Sequence, residues 1–307
     1  MRIDRAASPT RLCVMRIPRG LLLAGSAVGL AGLLMFHRFV PTVVGSLLQT
    51  FLVWLILAVP VLVELALLRR SALALAAALL PVIAWCATFG GLFLPASDDR
   101  FDLTVVQHNV SDTNPDPAGT ARTLAAARPS LIGLVEVTHP AYAVELRDWN
   151  HTAHGTVGLW SSFPIVESRH LDIKPSGLTA DWNRGLRAVV RTPHGDLAVY
   201  VVHLPSVRLD TARRDDSARK LAAFLKAEPL RQVILIGDLN ATVDDRGVRP
   251  VTSQLSWARR GVALSFPAMC PVARIDQIMA RNAVVTSVQT LPRTASNHLP
   301  VVARVRL

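Results

Sequence analysis

Residues Gln232 to Thr242 read QVILIGDLNAT. The apolar run Val233, Ile234, Leu235, Ile236 is short enough for a strand buried on both faces. It breaks at Gly237 and then sets down Asp238 and Asn240, two residues apart. In an extended backbone that spacing puts both side chains on one side. A carboxylate and a carboxamide at the open end of a buried strand can orient a water and hold an oxyanion. A strand-ending turn without chemistry has the same appearance, so the segments before and after it decide the reading.

Before it, the chain is unusually apolar. Of 307 residues 51% are apolar, and the mean hydropathy is +0.36, which points to a membrane portion. The excess is concentrated in the first 95 residues, which carry eight Arg and two acidic residues, Asp4 and Glu64. The remainder keeps 25 of the 33 basic and 20 of the 22 acidic residues, about +5 net. Much of the overall +11 is therefore a topology signal.

Three apolar segments stand out at Leu21–Phe36, Val43–Leu68 and Ala72–Leu94. The latter two are long enough to cross ~30 Å of hydrocarbon, and the first reads as a retained span, since His37-Arg38 is a poor signal-peptide cleavage site. Five Arg precede the first segment and Arg69-Arg70 separates the second from the third. The positive-inside rule then places the N-terminus and the Arg69-Arg70 loop in the cytoplasm and everything after Leu94 outside. The expected organisation is a basic cytoplasmic tail (1–19), three transmembrane helices (20–95) and an extracytoplasmic domain (96–307). Three cysteines make no disulfide framework, so the outer domain depends on its core.

That domain reads as strands and helices in alternation. FDLTVVQHNV (Phe101–Val110) forms a strand ending at Asn109, Pro117–Arg128 a helix, and LIGLVEV (Leu131–Val137) a strand with Glu136 near its end. Strand, helix and strand in about 35 residues make a βαβ-sized unit. A Glu at the tip of an apolar strand is costly to bury without a partner or a metal. GLWSSFPIV (Gly158–Val166) reads as one strand. The loop Ile173–Arg184 carries Trp182, which faces substrate or lipid or anchors the core. Gly185–Arg191 and Asp196–His203 form a hairpin around Pro193-His194-Gly195, and Leu209–Ala227 an amphipathic helix with a solvated charged face. VARIDQIMA (Val272–Ala280) is a strand interrupted by Asp276, and the chain closes on Ser296-Asn297-His298 and the strand VVARVRL.

The order Asn109, Glu136, His203-Leu204, Gly237-Asp238-Leu239-Asn240, Arg274-Ile275-Asp276, Ser296-Asn297-His298 resembles the endonuclease/exonuclease/phosphatase (DNase I-like) superfamily of metal-dependent phosphoesterases. The resemblance covers Phe101 to Leu307 and implies a four-layer α/β sandwich of two packed mixed sheets covered by helices. It implies that Glu136 is the main ligand of Mg²⁺ or Mn²⁺, with Asn109 beside it on metal or phosphate. Asp238 would activate the attacking water, Asn240 would hold a phosphate oxygen, and His203 and His298 would donate to non-bridging oxygens, with Asp276 fixing the tautomer of His298. Arg187 would add positive charge near the substrate. The family usually ends in Ser-Asp-His; Asn297 here offers a neutral oxygen at a position that often touches the metal, implying weaker metal binding.

Three spans ahead of such a domain are similar in layout to the VanJ-type family of teicoplanin-resistance membrane proteins. That resemblance implies a polyprenyl (undecaprenyl) pyrophosphate phosphatase at the outer face of the membrane, with a membrane lipid phosphate as its partner. A membrane-tethered nuclease needs a groove of Lys/Arg, which a charge of about +5 shows no sign of, so nucleic acid is not favoured. A sphingomyelinase-like phosphodiesterase fits the same motifs, and Asn297 alone favours a non-catalytic domain that binds lipid phosphates. The oligomeric state is not readable from the sequence.

Overall fold

The computed structural model describes residues 20–94, 100–206 and 211–307. The expected basic tail through Arg19, the linker at 95–99 and the helix start at Leu209 lie outside the described residues. The chain forms two compact units. Among the described residues, one comprises residues 20–35 with Leu55–Ala84, the other Phe36–Trp54 with those from Trp85 onward. Contacts therefore do not divide the chain at residue 95.

The apolar half forms helices α1 (Leu21–Phe36), α2 (Thr42–Thr50), α3 (Ala58–Leu68), α4 (Ala72–Ala77) and α5 (Leu79–Phe89). Leu and Ala dominate them and favour helix, and Ser71 caps α4 by accepting the Ala74 N–H. Two stretches, Leu21–Phe39 and Ala72–Phe93, are long and apolar enough to cross a membrane, at 19 and 22 residues. The expected second span is broken: Thr42–Thr50 and Leu52–Leu68 meet at 70°. The cause is polar. Ser46 and Gln49 of α2 are buried, and in lipid their groups would lack partners. Here the Ser46 hydroxyl donates to Asp245 and accepts from Arg214 Nη1 at 3.0 Å. Gln49 Oε1 accepts the Arg246 N–H at 2.9 Å, and its carbonyl accepts the Thr242 hydroxyl at 3.2 Å. Helix α2 is thus built into the large unit.

That unit contains two six-stranded sheets. Strands β1 (Leu103–Asn109), β2 (Leu131–Val135), β3 (Asn150–His154) and β4 (Val157–Ser161) join β11 (Val284–Thr290) and β12 (Val301–Arg306) in the order β11-β12-β1-β2-β4-β3. The second sheet runs β5-β6-β7-β8-β10-β9, from β5 (Ile165–His170), β6 (Gly185–Thr192), β7 (Gly195–His203), β8 (Val233–Asp238), β9 (Ser256–Trp257) and β10 (Asp276–Arg281). Helices α6 (Pro117–Ala126) and α7 (Ala141–Glu145) cover the first sheet, and α8 (Thr211–Ala227) and α9 (Arg249–Thr252) the second.

Alternation along the strands builds the layers. Ile234 and Ile236 of β8 face the space between the sheets with Val105, Leu159, Val199 and Ile278. Val233 and Leu235 face α8 with Tyr200, Leu221 and Leu225. On the far side Ile132 and Leu134 meet Leu124 and Tyr142. Both faces of β8 are covered, which is why it reads as an unbroken apolar run. The sheets approach closely at Gly133, where a Cβ would lie 2.4 Å from Ile236 Cγ2.

The four-layer sandwich and the hairpin at Pro193–Gly195 are as expected. Gly158–Val166 is not one strand. It is β4 and β5, which belong to different sheets, because Pro164 lacks a ladder N–H and the chain crosses between layers there. The strand expected from Val272 begins only at Asp276.

Candidate active site

The site forms where strand ends from both sheets meet. Parallel β1 and β2 pair Asn109 with Val135, which sets Glu136 one residue past the end of β2. Parallel β7 and β8 pair His203 with Asp238, and antiparallel β8 and β10 pair Asp238 with Asp276. Two non-glycine residues here adopt positive φ, Glu136 at 63° and Asn240 at 48°. Such backbone is uncommon and is held by its surroundings, often at functional sites.

Asn109 sits at the centre. Its Nδ2 donates to Glu136 Oε1 and to Asp238 Oδ2, each at 3.1 Å, while its Oδ1 accepts the Ser111 N–H at 3.0 Å. Glu136 Oε2 accepts the Asp112 N–H at 3.2 Å, and Asp238 Oδ1 accepts the Asn240 N–H at 2.8 Å. The two histidines flank the carboxylates. His203 Nε2 lies 3.7 Å from Glu136 Oε1 and 3.8 Å from Asp238 Oδ2. His298 Nε2 lies 3.9 Å from Asp238 Oδ2, and its Nδ1 is 2.8 Å from Asp276 Oδ2. Gln107 Nε2 donates to the other oxygen of Asp276 at 2.8 Å. Ser296 closes the site by donating to the Asn109 carbonyl at 2.6 Å and accepting the His298 N–H at 3.0 Å.

Burial and charge separate the two histidines. Burial first, and the Arg184 guanidinium second, lower the pKa of His203 to about 3. Arg184 Nη1 is 3.2 Å from His203 Nδ1; a guanidinium can only donate, so this nitrogen accepts and the ring proton sits on Nε2, toward the carboxylates. Burial pulls His298 the other way from its neighbours, but Asp276, Asp238 and Glu136 prevail and hold it at about 9. His298 is thus a cation at neutral pH. Burial and the nearby Asp276 charge raise Asp238 to about 7. Asp276 resists the same burial, because contact with His298 keeps it below the usual carboxylate range.

The arrangement suits a hard cation. Glu136 and Asp238 converge on a single amide group, and like charges brought this close call for a positive partner. Oxygen donors from two carboxylates match Mg²⁺ or Mn²⁺, while Asn109 turns its Nδ2 to both of them and its Oδ1 away to the Ser111 N–H. Asp238, Asp276 and His298 also bring ligand atoms within 4.8 Å of one another, but Asp276 is already committed to His298 and Gln107. We therefore assign the fit to the carboxylates of Glu136 and Asp238, with the expected ligand Asn109 holding the two in place through its Nδ2.

Not every expected residue is here. Arg187 lies in another network: it is buried and bonds bidentately to Glu228 at 2.8 and 2.9 Å and to Glu167 at 2.6 Å. Its neighbour in sequence, Arg184, supplies the charge instead. It begins the approach to β6 directly across from His203, whose N–H donates to its carbonyl at 2.9 Å. The position opposite the strand-end histidine was the signal for it. Trp182 is half-buried and reaches the site only through Arg184, whose guanidinium carbon stacks 4.2 Å from its ring centroid. Asn297 is exposed; its carbonyl accepts the Ala268 N–H at 2.8 Å, and among the described residues its side chain has no hydrogen bond to the cluster. Asn240 is in place, with Nδ2 donating to the Leu204 carbonyl at 2.9 Å and 3.4 Å from His203 Nε2.

Residues 106–298 match the model of the Endonuclease/Exonuclease/phosphatase family. None of the curated proteins compared matches the sequence. Among solved structures, the chain is similar to sphingomyelinase C from Streptomyces griseocarneus, with 20% identity, a TM-score of 0.53, and coverage of 66% of this chain and 98% of that one. It is also similar to a mannosyl-6-phosphatase of Bacteroides thetaiotaomicron, with 16% identity, a TM-score of 0.56, and coverage of 67% and 100%. Beta toxin from Staphylococcus aureus shows 14% identity, a TM-score of 0.55, and coverage of 66% and 99%. At these identities the likeness shows a shared fold.

Proposed function

The chain belongs to the Endonuclease/Exonuclease/phosphatase family, and from that premise we propose that it is a membrane-anchored, metal-dependent phosphoesterase acting on lipid-borne phosphate. In its sharpest form the substrate is a polyprenyl pyrophosphate such as undecaprenyl pyrophosphate, as the similarity in layout to VanJ-type proteins suggests. The observation that carries the reading is that the phosphate-handling cluster and the ends of the apolar segments belong to one packed unit. Residues 36–54 and Trp85 onward share it, which suits a substrate whose head group is presented at the membrane surface.

The residues divide the work as follows. Asp238, whose carboxylate lies 3.8 Å from His203 Nε2 and 3.9 Å from His298 Nε2, is placed to accept a proton from the attacking water. The water oxygen bonds to the terminal phosphorus and the bridging P–O bond breaks, giving inorganic phosphate and, as the leaving group, the polyprenyl monophosphate. Nε2–H of His203 and the cationic His298 donate to non-bridging oxygens as charge builds, and Asn240 steadies a phosphate oxygen. Glu136 and Asp238 would hold the cation, with Asn109 orienting both carboxylates, and the cation when bound supplies charge neutralisation and a more acidic water.

Topology is consistent with an outer-face enzyme. Residues 36–54 and 85–94 share a compact unit with the strands of the catalytic fold, which supports the reading that they meet it at one membrane face. Leu52–Leu68 alone has 17 residues, about 26 Å of helix and within the range of a span. With the first and third apolar segments it would make three crossings, and the positive-inside rule then assigns Arg69-Arg70 to the cytoplasm. The test is phosphate release by purified full-length protein with Mg²⁺ or Mn²⁺, offered farnesyl pyrophosphate and plasmid DNA in parallel, with Glu136→Ala as control. Plasmid nicking without prenyl hydrolysis would move the protein to the nucleases.

A further inference from the structure

Beside the catalytic cluster lies a cavity of about 260 Å³, and nothing in the proposed chemistry uses it. Its walls come from three places. One is the bend of the broken second apolar segment (Gln49, Thr50, Val53), and another the last turns of the third (Ala87 to Leu92). The rest comes from the loops that continue the catalytic strands. Thr242 to Asp244 follow Asn240 after one residue, and Val272 to Arg274 precede Asp276 by the same interval. Two residues of extended chain span at most about 7 Å, so the inner wall adjoins the site itself. Eleven of the eighteen lining residues are apolar, among them Phe89, Leu92, Trp257, Val262 and Leu264, while the charged Asp244, Arg259 and Arg274 and four uncharged polar side chains make up the rest.

Three further observations bear on its occupant. The segments forming the outer wall also present large apolar side chains outward, with Phe51, Trp54, Phe93 and Leu94 exposed next to the lining residues. The wall is fixed in place: Trp54 Nε1 donates to the Val272 carbonyl at 2.7 Å, and Trp85 Nε1 to the Val53 carbonyl at 2.7 Å. The volume exceeds the roughly 150 Å³ of a dry apolar cavity that admits benzene. A cavity with an apolar majority and several polar groups, adjoining phosphate-handling residues, suits a ligand with both apolar and charged parts.

We propose that this cavity binds the hydrocarbon segment adjoining the phosphate of a membrane lipid phosphate, so that chain and head group are recognised by one continuous site. This rests on the lipid-phosphate reading and adds to it a selectivity element. Catalytic residues alone cannot tell a prenyl pyrophosphate from a chainless phosphate ester; a chain-binding cavity can.

The test uses full-length protein in nanodiscs and two independent readouts. The first is photolabelling with benzophenone-tagged geranyl pyrophosphate, followed by peptide mapping. The proposal expects adducts within residues 49–53, 87–92 or 257–274, displaced by excess farnesyl pyrophosphate. Adducts confined to other segments, or not displaced, would overturn it. The second is hydrolysis by the cavity-filling variants Val262→Trp and Leu264→Trp. They should lose about tenfold or more in kcat/KM on farnesyl pyrophosphate, the equivalent of about two methylene groups left unburied, while turnover of p-nitrophenyl phosphate stays unchanged. Equal effects on both esters, or none on either, would contradict it. Displaceable labelling of the cavity without any hydrolysis would leave chain binding standing and refute the enzymatic reading instead.

Discussion

Asp276 Oδ2 lies 2.8 Å from Nδ1 of His298, both side chains buried at the junction of the two sheets. This contact keeps His298 protonated to about pH 9 against the opposing effect of burial. The sign follows directly: below about 9 the imidazolium donates to a phosphoryl oxygen, and above it that charge is lost. The rate should therefore fall on the alkaline side near pH 9. In Asp276→Asn the alkaline limb should move to lower pH and the rate at pH 8 should drop about 10–100-fold, the range for lost orienting partners. A pH–rate profile of both proteins checks this; an Asn variant slowed equally at every pH would indicate that Asp276 acts only on folding.

Glu136 and Asp238 share the amide of Asn109 at 3.1 Å each. With a cation between them, chelation by EDTA should abolish activity and Mg²⁺ or Mn²⁺ should restore it. Glu136→Gln should cost roughly 10²–10³-fold in kcat, the scale of a lost electrostatic contact in a transition state. Unchanged activity in EDTA would remove the cation from the account.

Arg184 and Arg187 should behave oppositely. Arg184→Ala should lower activity by about 10²-fold with little effect on stability, since it touches His203 and faces Asp238 and Glu136. Arg187→Met strands Glu228, whose side chain is fully buried, and should cost about 3–5 kcal/mol of stability while folded protein keeps its activity. Thermal unfolding and specific activity, measured side by side, separate the two.

The catalytic cluster was legible in the sequence because chemistry and geometry coincide there. Asn109, Glu136, His203, Asp238 and Asp276 each mark the end or start of an apolar strand, and apolar runs are what a sequence displays best. Residues off the strand ends were harder. Arg184 and Arg187 are three apart on one hairpin arm, and choosing between them requires the pairing register and the position of Glu228. Asn297 occupies a motif position but turns outward. The apolar half hides its detail in a different way. Val43–Leu68 has the length and hydropathy of a span, yet Ser46 and Gln49 at helical spacing form a polar stripe along α2, a signal that hydropathy averaging removes.

That stripe gives a prediction of its own. Arg214 is 1% exposed and pairs with Asp245 and Asp215 at 2.9 Å, with Ser46 of α2 completing the set. Asp245→Ala leaves a buried guanidinium with reduced compensation and should destabilise the protein by about 3–5 kcal/mol. A truncation to residues 96–307 removes α2 and should unfold at a lower temperature than the full-length protein. Equal melting temperatures would mean that α2 contributes nothing to the catalytic unit.

Stability should also respond to acid through Glu228. Burial opposes its ionisation, but hydrogen bonds from Arg187, Tyr200 and the Leu230 N–H prevail and lower its pKa to about 2. A depressed carboxylate stabilises fully above its unfolded value, about 4.3, and the contribution is lost as pH falls toward 2. Melting temperature should therefore decline between about pH 4.5 and 2, and less steeply in Glu228→Gln. Parallel curves for the two proteins would assign acid sensitivity elsewhere.

The central claim is that strand-end carboxylates and histidines joined to apolar helices make a lipid-phosphate hydrolase. The most direct measurement is inorganic phosphate release from farnesyl pyrophosphate by the full-length protein with Mg²⁺ or Mn²⁺, compared with Asp238→Ala. Cation-dependent release by the wild type and none by the variant is the result expected. No release by the wild type, or equal release by both, would contradict it.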